Sequence, residues 1–379
     1  MKTEYLYRFS DDFSENGFKR LMKNGYTFQN THYNYMPTYT GPGHASIYTG
    51  TTPAVHGIVG NEWFNRATQT ELYCTEDINV VTIGDGTESE GKMSPKNLQS
   101  TTITDELKLA TNFKSKVIGI SLKDRGAILP AGHFADWAFW YSKTGAFISS
   151  TYYGNELPTW ATTFNSEKHF LKYLENDWTL LKNKNVYNES LNDNNPYEGK
   201  LYKKTPFFPY NMKDMFSNND AGVLRSTPFG NNLIIDFAIR AIENENLGKD
   251  DVTDFLTLSF SSTDYIGHIL GPRSIELQDT YLRLDLSIAD FLDYLDKTVG
   301  KDNYLLFLTS DHACAENANH LKDNKYNVKN VPSKDISKSL KEFSTATYGE
   351  NLMVEYSNFN IYFYTILKKL SIFLIFDVF

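Results

Sequence analysis

Cysteine is nearly missing from this chain: among 379 residues there are only Cys74 and Cys314. Two cysteines cannot build a disulfide scaffold and do not have zinc-ribbon spacing, so they leave the redox compartment open and allow one bridge at most. Long apolar runs are missing too. The apolar stretch of residues 366–376 is short and is interrupted by Lys368 and Lys369, so no membrane span is expected. Met1 passes directly into Lys2-Thr3-Glu4-Tyr5, and no signal peptide is expected in this chain. Positive charge is in deficit, 37 Lys and Arg against 46 Asp and Glu for a net charge of −9. That balance excludes a broad nucleic-acid or anionic-membrane surface, so phosphate chemistry here has to use local cations. Internal repeats and low-complexity segments are also lacking.

What is present is α/β alternation. Phe13, Phe18, Leu21 and Met22 predict an amphipathic helix over residues 11–24, stopped by Gly25. A helix over 104–110, capped by Thr102 or Thr104, precedes the continuous apolar run 116–122, which reads as a parallel strand covered on both faces. Residues 139–148 read as a hairpin inside an aromatic-rich insertion of about 134–224, taken as one wall of the site. Thr227-Pro228 opens the next helix, ending at Gly248, and a strand follows over 252–260. Ser274 caps a long helix over 275–299, a strand is expected over 303–309, and one more falls within 351–363. The expected fold is α/β, a doubly wound and mostly parallel sheet with helices on both faces, in a single domain spanning 1–379.

The chemistry gathers at the ends of these elements. In Thr40-Gly41-Pro42-Gly43-His44, Gly and Pro mark a turn and the small residues after them read as a helix start, which puts Thr40 at a helix N-terminus. Unpaired N–H groups and the dipole there favour a bound phosphate and the alkoxide form of a hydroxyl nucleophile, although most Thr residues in such places are simple caps. Asn61, ending a Gly-bounded loop, could donate to an oxyanion or merely form a turn. Lys123 and Arg125 follow the 116–122 strand, in the crevice where an open α/β sheet collects its ligands, and otherwise read as a solvated loop pair. Two further strand ends deliver Asp264-x-x-x-His268 and Asp311-His312. Carboxylate and imidazole donors suit Zn²⁺, and two ions a few Å apart would clamp a phosphoryl group. The other six histidines, His44 among them, read as packing or surface residues.

Together these motifs resemble the alkaline phosphatase superfamily, and most closely its threonine-nucleophile, phosphate-irrepressible alkaline phosphatase branch, which is related to the nucleotide pyrophosphatase/phosphodiesterases. The resemblance runs from about Tyr5 to Phe363. It implies two Zn²⁺, with Thr40 as the nucleophile that forms a phosphothreonine and bridges to one zinc, Asp311 and His312 as ligands of that zinc, and Asp264 and His268 as ligands of the second. Asn61 then binds one phosphoryl oxygen, and Lys123 with Arg125 contacts the others, a pair of cations that favours phosphate monoesters. Small-molecule phosphate esters, a monomer, and a periplasmic or secreted location for the complete protein are the accompanying expectations. A type I phosphodiesterase or nucleotide pyrophosphatase is the alternative activity. The family also uses an Asp on a strand expected before Met1 and a His beyond the final strand. The resemblance thus implies a chain incomplete at both ends, and an inactive remnant that binds zinc weakly is the third reading.

Overall fold

The computed structural model describes residues 1–201, 207–218 and 220–363. In chain order the elements that position the site are α1 (Thr40–Thr49), β1 (Thr82–Ile83), α2 (Ile103–Ala110), β2 (Val117–Ser121), α3 (Asp124–Ala131), β3 (Trp137–Tyr141), β4 (Phe147–Ser150), α4 (Phe229–Glu245), β5 (Phe255–Ser259), α5 (Ser262–Leu270) and α6 (Ile275–Leu295). The five strands form one sheet in the order β1-β4-β3-β2-β5. β2 runs parallel to both β3 and β5, whereas β4 is antiparallel to β3 and β1 antiparallel to β4. The sheet is therefore mixed rather than mostly parallel. The antiparallel half comes from residues 137–150, so the first part of the expected insertion supplies two strands of the main sheet.

Alternation along these strands assigns the two faces. Ile118, Ile120, Phe139, Tyr141 and Phe147 point into a core shared with α4 and α6. Ala138, Trp140 and Ile148 point the other way, onto Ala127, Ile128 and Ala131 of α3. Gly119 lets α3 lie close on that second face: a Cβ there would stand 2.3 Å from the Ala127 carbonyl oxygen. On the first face Phe237 of α4 stacks on Phe147 at 4.0 Å between ring centroids and meets Phe139 at 5.1 Å. The aromatics of the 134–224 region thus build the core, which burial of their large apolar area favours.

Several boundaries differ from those read in the sequence. The first amphipathic helix begins at Phe18, not at 11, because Asp285 of α6 accepts the Ser14 and Phe18 N–H groups at 2.6 and 2.7 Å and ends the preceding turn. α2 has the expected cap in full: Thr102 Oγ1 accepts from Asp105 N at 3.1 Å and the Asp105 carboxylate accepts from Thr102 N at 2.9 Å. α4 ends at Glu245 with Asn246 left-handed behind it, and Ser274 caps α6 through Leu277 N at 3.2 Å. The C-terminal strand is two, Met353–Ser357 and Asn360–Phe363, paired as a hairpin. Residues 303–309 do not form a strand. Their composition suits one, but a strand exists by pairing, and among the described residues β5 pairs only with β2. Leu305 is accordingly 95% exposed, and Phe307 reaches the sheet edge only through ring contacts with Phe255 and Tyr48 at 6.3 and 6.1 Å. Both cysteines are free thiols, Cys74 buried and Cys314 exposed. No helix among the described residues is long and apolar enough to cross a membrane.

Candidate active site

Thr40 is the first residue of α1, as its sequence context requires, and it is buried. The Gly-Pro-Gly run lies inside the first helical turn rather than ahead of it. That thins the expected anion site, because donors of this turn are already used or missing: Pro42 has no N–H, Gly43 N bonds Tyr39 O at 2.9 Å, and Gly41 N bonds Asn61 Oδ1 at 2.8 Å. The Asn61 bond also orients that amide, since an oxygen that accepts from Gly41 leaves Nδ2 as the outward donor. Asn61 is delivered by the hairpin of Glu62–Asn65 and Thr70–Tyr73, closed by Cys74 N to Asn61 O at 2.9 Å.

Lys123 and Arg125 do not form a loop. Lys123 is the residue just before α3 and Arg125 sits in its first turn. Lys123 Nζ lies 2.5 Å from Asp264 Oδ2 and 4.6 Å from the centre of the Tyr265 ring. Arg125 Nη1 donates to Tyr73 Oη at 2.6 Å, and its Nε is buried without a partner.

Asp264 and His268 lie on α5, beyond β5, and not at a strand end. Their four-residue spacing places them on one helical face, with His268 Nε2 3.3 Å from Asp264 Oδ1. Burial alone would raise the Asp264 carboxyl, but the hydrogen bond from His268 and the charge of Lys123 outweigh it and hold the group well below the usual carboxylate range. The same contact with Asp264 raises the His268 imidazole against burial. His268 remains largely exposed.

Asp311 and His312 come from the loop after residues 303–309. Tyr33 Oη donates to Ser310 O at 2.5 Å, and Glu316 further on is held by Lys2 at 2.6 Å and Arg273 at 2.9 Å. The backbone of α1 packs directly on this loop: a Cβ on Gly43 would lie 2.1 Å from the Asp311 carbonyl oxygen. His312 Nδ1 donates to Ala313 O at 2.7 Å, which turns Nε2 inward. Around that nitrogen stand Thr40 Oγ1 at 3.4 Å, Asp311 Oδ2 at 3.5 Å and Asp264 Oδ1 at 3.7 Å.

Those separations provide a test of the metal expectation. Ligands about 2.0–2.1 Å from a tetrahedral Zn²⁺ lie about 3.3–3.4 Å from one another. The measured pairs start at that edge length, and the donors are of the right chemistry. Among the described residues no three His, Cys, Asp or Glu side chains yet close together as a metal site, and Lys123 occupies the second oxygen of Asp264. The donors have the chemistry of a divalent-metal site, and in this arrangement they stand as pairs.

Two residues here were not singled out from the sequence. His44 is enclosed, with Nε2 3.8 Å from Asp311 Oδ2 and Nδ1 unpartnered, and burial lowers its pKa to about 4. Its position four after Thr40, one helical turn on, was a usable signal. Tyr73 carried no signal, because only the hairpin register brings it to Arg125.

Comparison with known proteins places these residues in context. A family model for type I phosphodiesterase / nucleotide pyrophosphatase matches residues 1–357. A protein of Myroides odoratus named calcium-transporting ATPase is 49% identical over 96% of this chain and 67% of its own length. Alkaline phosphatase PafA of Elizabethkingia meningoseptica is 46% identical over 96% of this chain and 67% of its own, and alkaline phosphatase PhoV of Synechococcus elongatus is 52% identical over 82% and 57%. The 1.7 Å crystal structure of wild-type PafA superposes with a TM-score of 0.92 over 96% of this chain and 70% of that one. A PafA variant substituted at a Thr, an Asn, a Lys and an Arg gives 0.91.

Proposed function

This chain belongs to the type I phosphodiesterase / nucleotide pyrophosphatase family within the alkaline phosphatase superfamily, and on that premise we propose that it is a metal-dependent phosphate monoester hydrolase whose nucleophile is Thr40. The observation that carries the reading is the meeting of Thr40 Oγ1 with His312 Nε2 at 3.4 Å, in a cluster with Asp264 and Asp311. The four residues substituted in the PafA variant are spaced along that chain as Thr40, Asn61, Lys123 and Arg125 are along this one, which supports the same four as the reacting and binding groups.

The chain's own residues supply the following. Thr40, at the positive end of α1, attacks phosphorus in line and takes the phosphoryl group as phosphothreonine while the P–O bond to the departing alcohol breaks, and water then cleaves the phosphothreonine to inorganic phosphate and the free Thr40 hydroxyl. Asn61 Nδ2 donates to one phosphoryl oxygen, held in direction by its bond to Gly41. Lys123 and Arg125 supply the charge that a monoester dianion satisfies and a diester monoanion does not, so the pair selects monoesters. Thr40, Asp311 and His312 would hold one ion, Asp264 and His268 the other, and we take both to be Zn²⁺. When bound, such ions supply Lewis-acid stabilisation of the attacking and leaving oxygens. We further propose a monomer that works in the periplasm or outside the cell on small phosphate esters.

Two substrates and one substitution test this. The purified chain, assayed for metal content, should hydrolyse p-nitrophenyl phosphate in preference to bis(p-nitrophenyl) phosphate, and Thr40→Ala should lower turnover by several orders of magnitude. Unchanged turnover in Thr40→Ala would falsify the nucleophile assignment. A preference for the diester would instead identify a phosphodiesterase, the activity that the family description also covers.

A further inference from the structure

We infer that Tyr73 is a positioning residue for Arg125, and that it selects which edge of the guanidinium is presented to phosphate. The inference rests on the reading of Arg125 as a phosphoryl contact.

A guanidinium has two edges that can make paired hydrogen bonds, Nη1 with Nη2 and Nε with Nη2. In this protein Nη1 donates to Tyr73 Oη at 2.6 Å. The phenol in turn donates to Asp124 Oδ1 at 2.6 Å, and the same carboxylate oxygen accepts the Arg125 backbone N–H at 2.5 Å. Asp124 thus fixes the phenol proton, the phenol lone pair faces Nη1, and Arg125 is held at its backbone N–H and at one guanidinium tip. Burial and the charge of Asp124 push the phenol pKa up, so it stays a neutral donor to Asp124 and an acceptor to Arg125 throughout the working range. Tyr73 takes one of the two Nη1 donors and so sets the direction of the guanidinium, and on the Nε–Nη2 edge Nε is buried with no acceptor. A phosphoryl oxygen is the acceptor that completes it.

The hairpin gives this arrangement a second consequence. Glu62 pairs with Tyr73 in the ladder, and Cys74 N bonds Asn61 O at 2.9 Å, so Asn61 and Tyr73 stand at the same open end of one two-stranded unit. One rigid element therefore aims the amide directly and the guanidinium through Tyr73.

The experiment is a double-substitution cycle on the metal-loaded chain with Tyr73→Phe, Arg125→Ala and both together. Activity is measured on p-nitrophenyl phosphate and on methyl p-nitrophenyl phosphate, with inhibition by inorganic phosphate as a binding readout. Losing a hydrogen bond to a charged group corresponds to about a tenfold effect. Tyr73→Phe should lower kcat/KM for the monoester about tenfold and weaken phosphate inhibition by a similar factor, with less than about a twofold change on the diester. In the Arg125→Ala background the Tyr73 substitution should have no further effect. Equal losses on both substrates, the same loss without Arg125, or no loss at all overturns the inference. Full turnover in Thr40→Ala would mark the failure of the underlying functional reading instead. Asp124→Asn leaves Tyr73 in the hairpin but weakens the acceptor that orients it, and must shift the monoester-to-diester ratio in the same direction even if Tyr73→Phe folds poorly.

Discussion

Asn61 Oδ1 accepts the Gly41 N–H at 2.8 Å, so one amide both ties down the first turn of α1 and turns its donor outward. Replacing Asn61 with Asp keeps the tie and puts a negative oxygen where the donor was; Asn61→Ala removes both. We predict that each lowers kcat on a phosphate monoester by about 10²–10³, the cost of one lost oxyanion donor, and that Asn61→Asp is the worse of the two. An Asn61→Asp enzyme with wild-type kcat would show that the amide nitrogen faces no substrate.

The contact between Gly43 and Asp311 makes a separate prediction. A methyl group on Gly43 would sit 2.1 Å from the Asp311 carbonyl oxygen, and neither backbone segment can rotate away as a side chain would. Gly43→Ala should displace the Asp311-His312 loop, and a misplacement of about 1 Å costs on the order of 10²-fold in turnover. Circular dichroism and kcat measured together check this: wild-type activity in a folded Gly43→Ala protein contradicts the packing.

His133 and Asp105 predict a pH dependence of stability. The hydrogen bond to Asp105 raises the His133 imidazole against burial, while Asp105, which burial would raise, is held low by His133 and by backbone N–H donors. A raised folded-state pKa means that the stabilisation is complete below about pH 6.5, the unfolded value, and is lost as pH rises through the folded one. The free-energy difference between wild type and His133→Gln should be about 1 kcal/mol at pH 5.5 and shrink toward pH 9. Denaturant titrations at the two pH values measure it, and a difference independent of pH sinks the assignment.

Asp285 offers a prediction away from the site. Its carboxylate caps the helix of Phe18–Asn24 from α6, accepting from Ser14 N and Phe18 N. Asp285→Ala should cost about 1–2 kcal/mol, the value of a lost cap, and leave kcat unchanged. Thermal unfolding followed alongside turnover separates the two effects.

Motif and sheet were legible to different degrees, and particular residues show why. Thr40 sits in a short motif whose punctuation marks a helix start, and it is the first residue of α1; Lys123 and Asp264, read as a loop and a strand end, stand instead at the start of α3 and within α5. The Asp264 and His268 pair was read as a strand end yet is held by helical spacing, since a helix directly after a strand looks the same in an apolar pattern. β3 and β4 were assigned to an insertion because aromatic richness hides alternation, and only the ladder from Trp137 to Ile118 puts them in the main sheet. The strand expected over 303–309 failed for the opposite reason: an apolar run was legible, but its pairing partner was not. Tyr73 reaches Arg125 only through a contact distant in sequence, which leaves no trace in local composition, whereas His44 stands one helical turn after Thr40.

Thr40 and His312 stand 272 positions apart in the chain, which bears on how this protein is made. At about 5–20 residues per second of synthesis, Thr40 leaves the ribosome roughly a quarter of a minute to a minute before the histidine it meets. During that interval α1 has formed no centre, and β2, β3 and β4 can assemble around Phe139 and Phe147 without it. The contact between Thr40 and His312 therefore forms late, after the strands that carry Phe139 and Phe147 have been made.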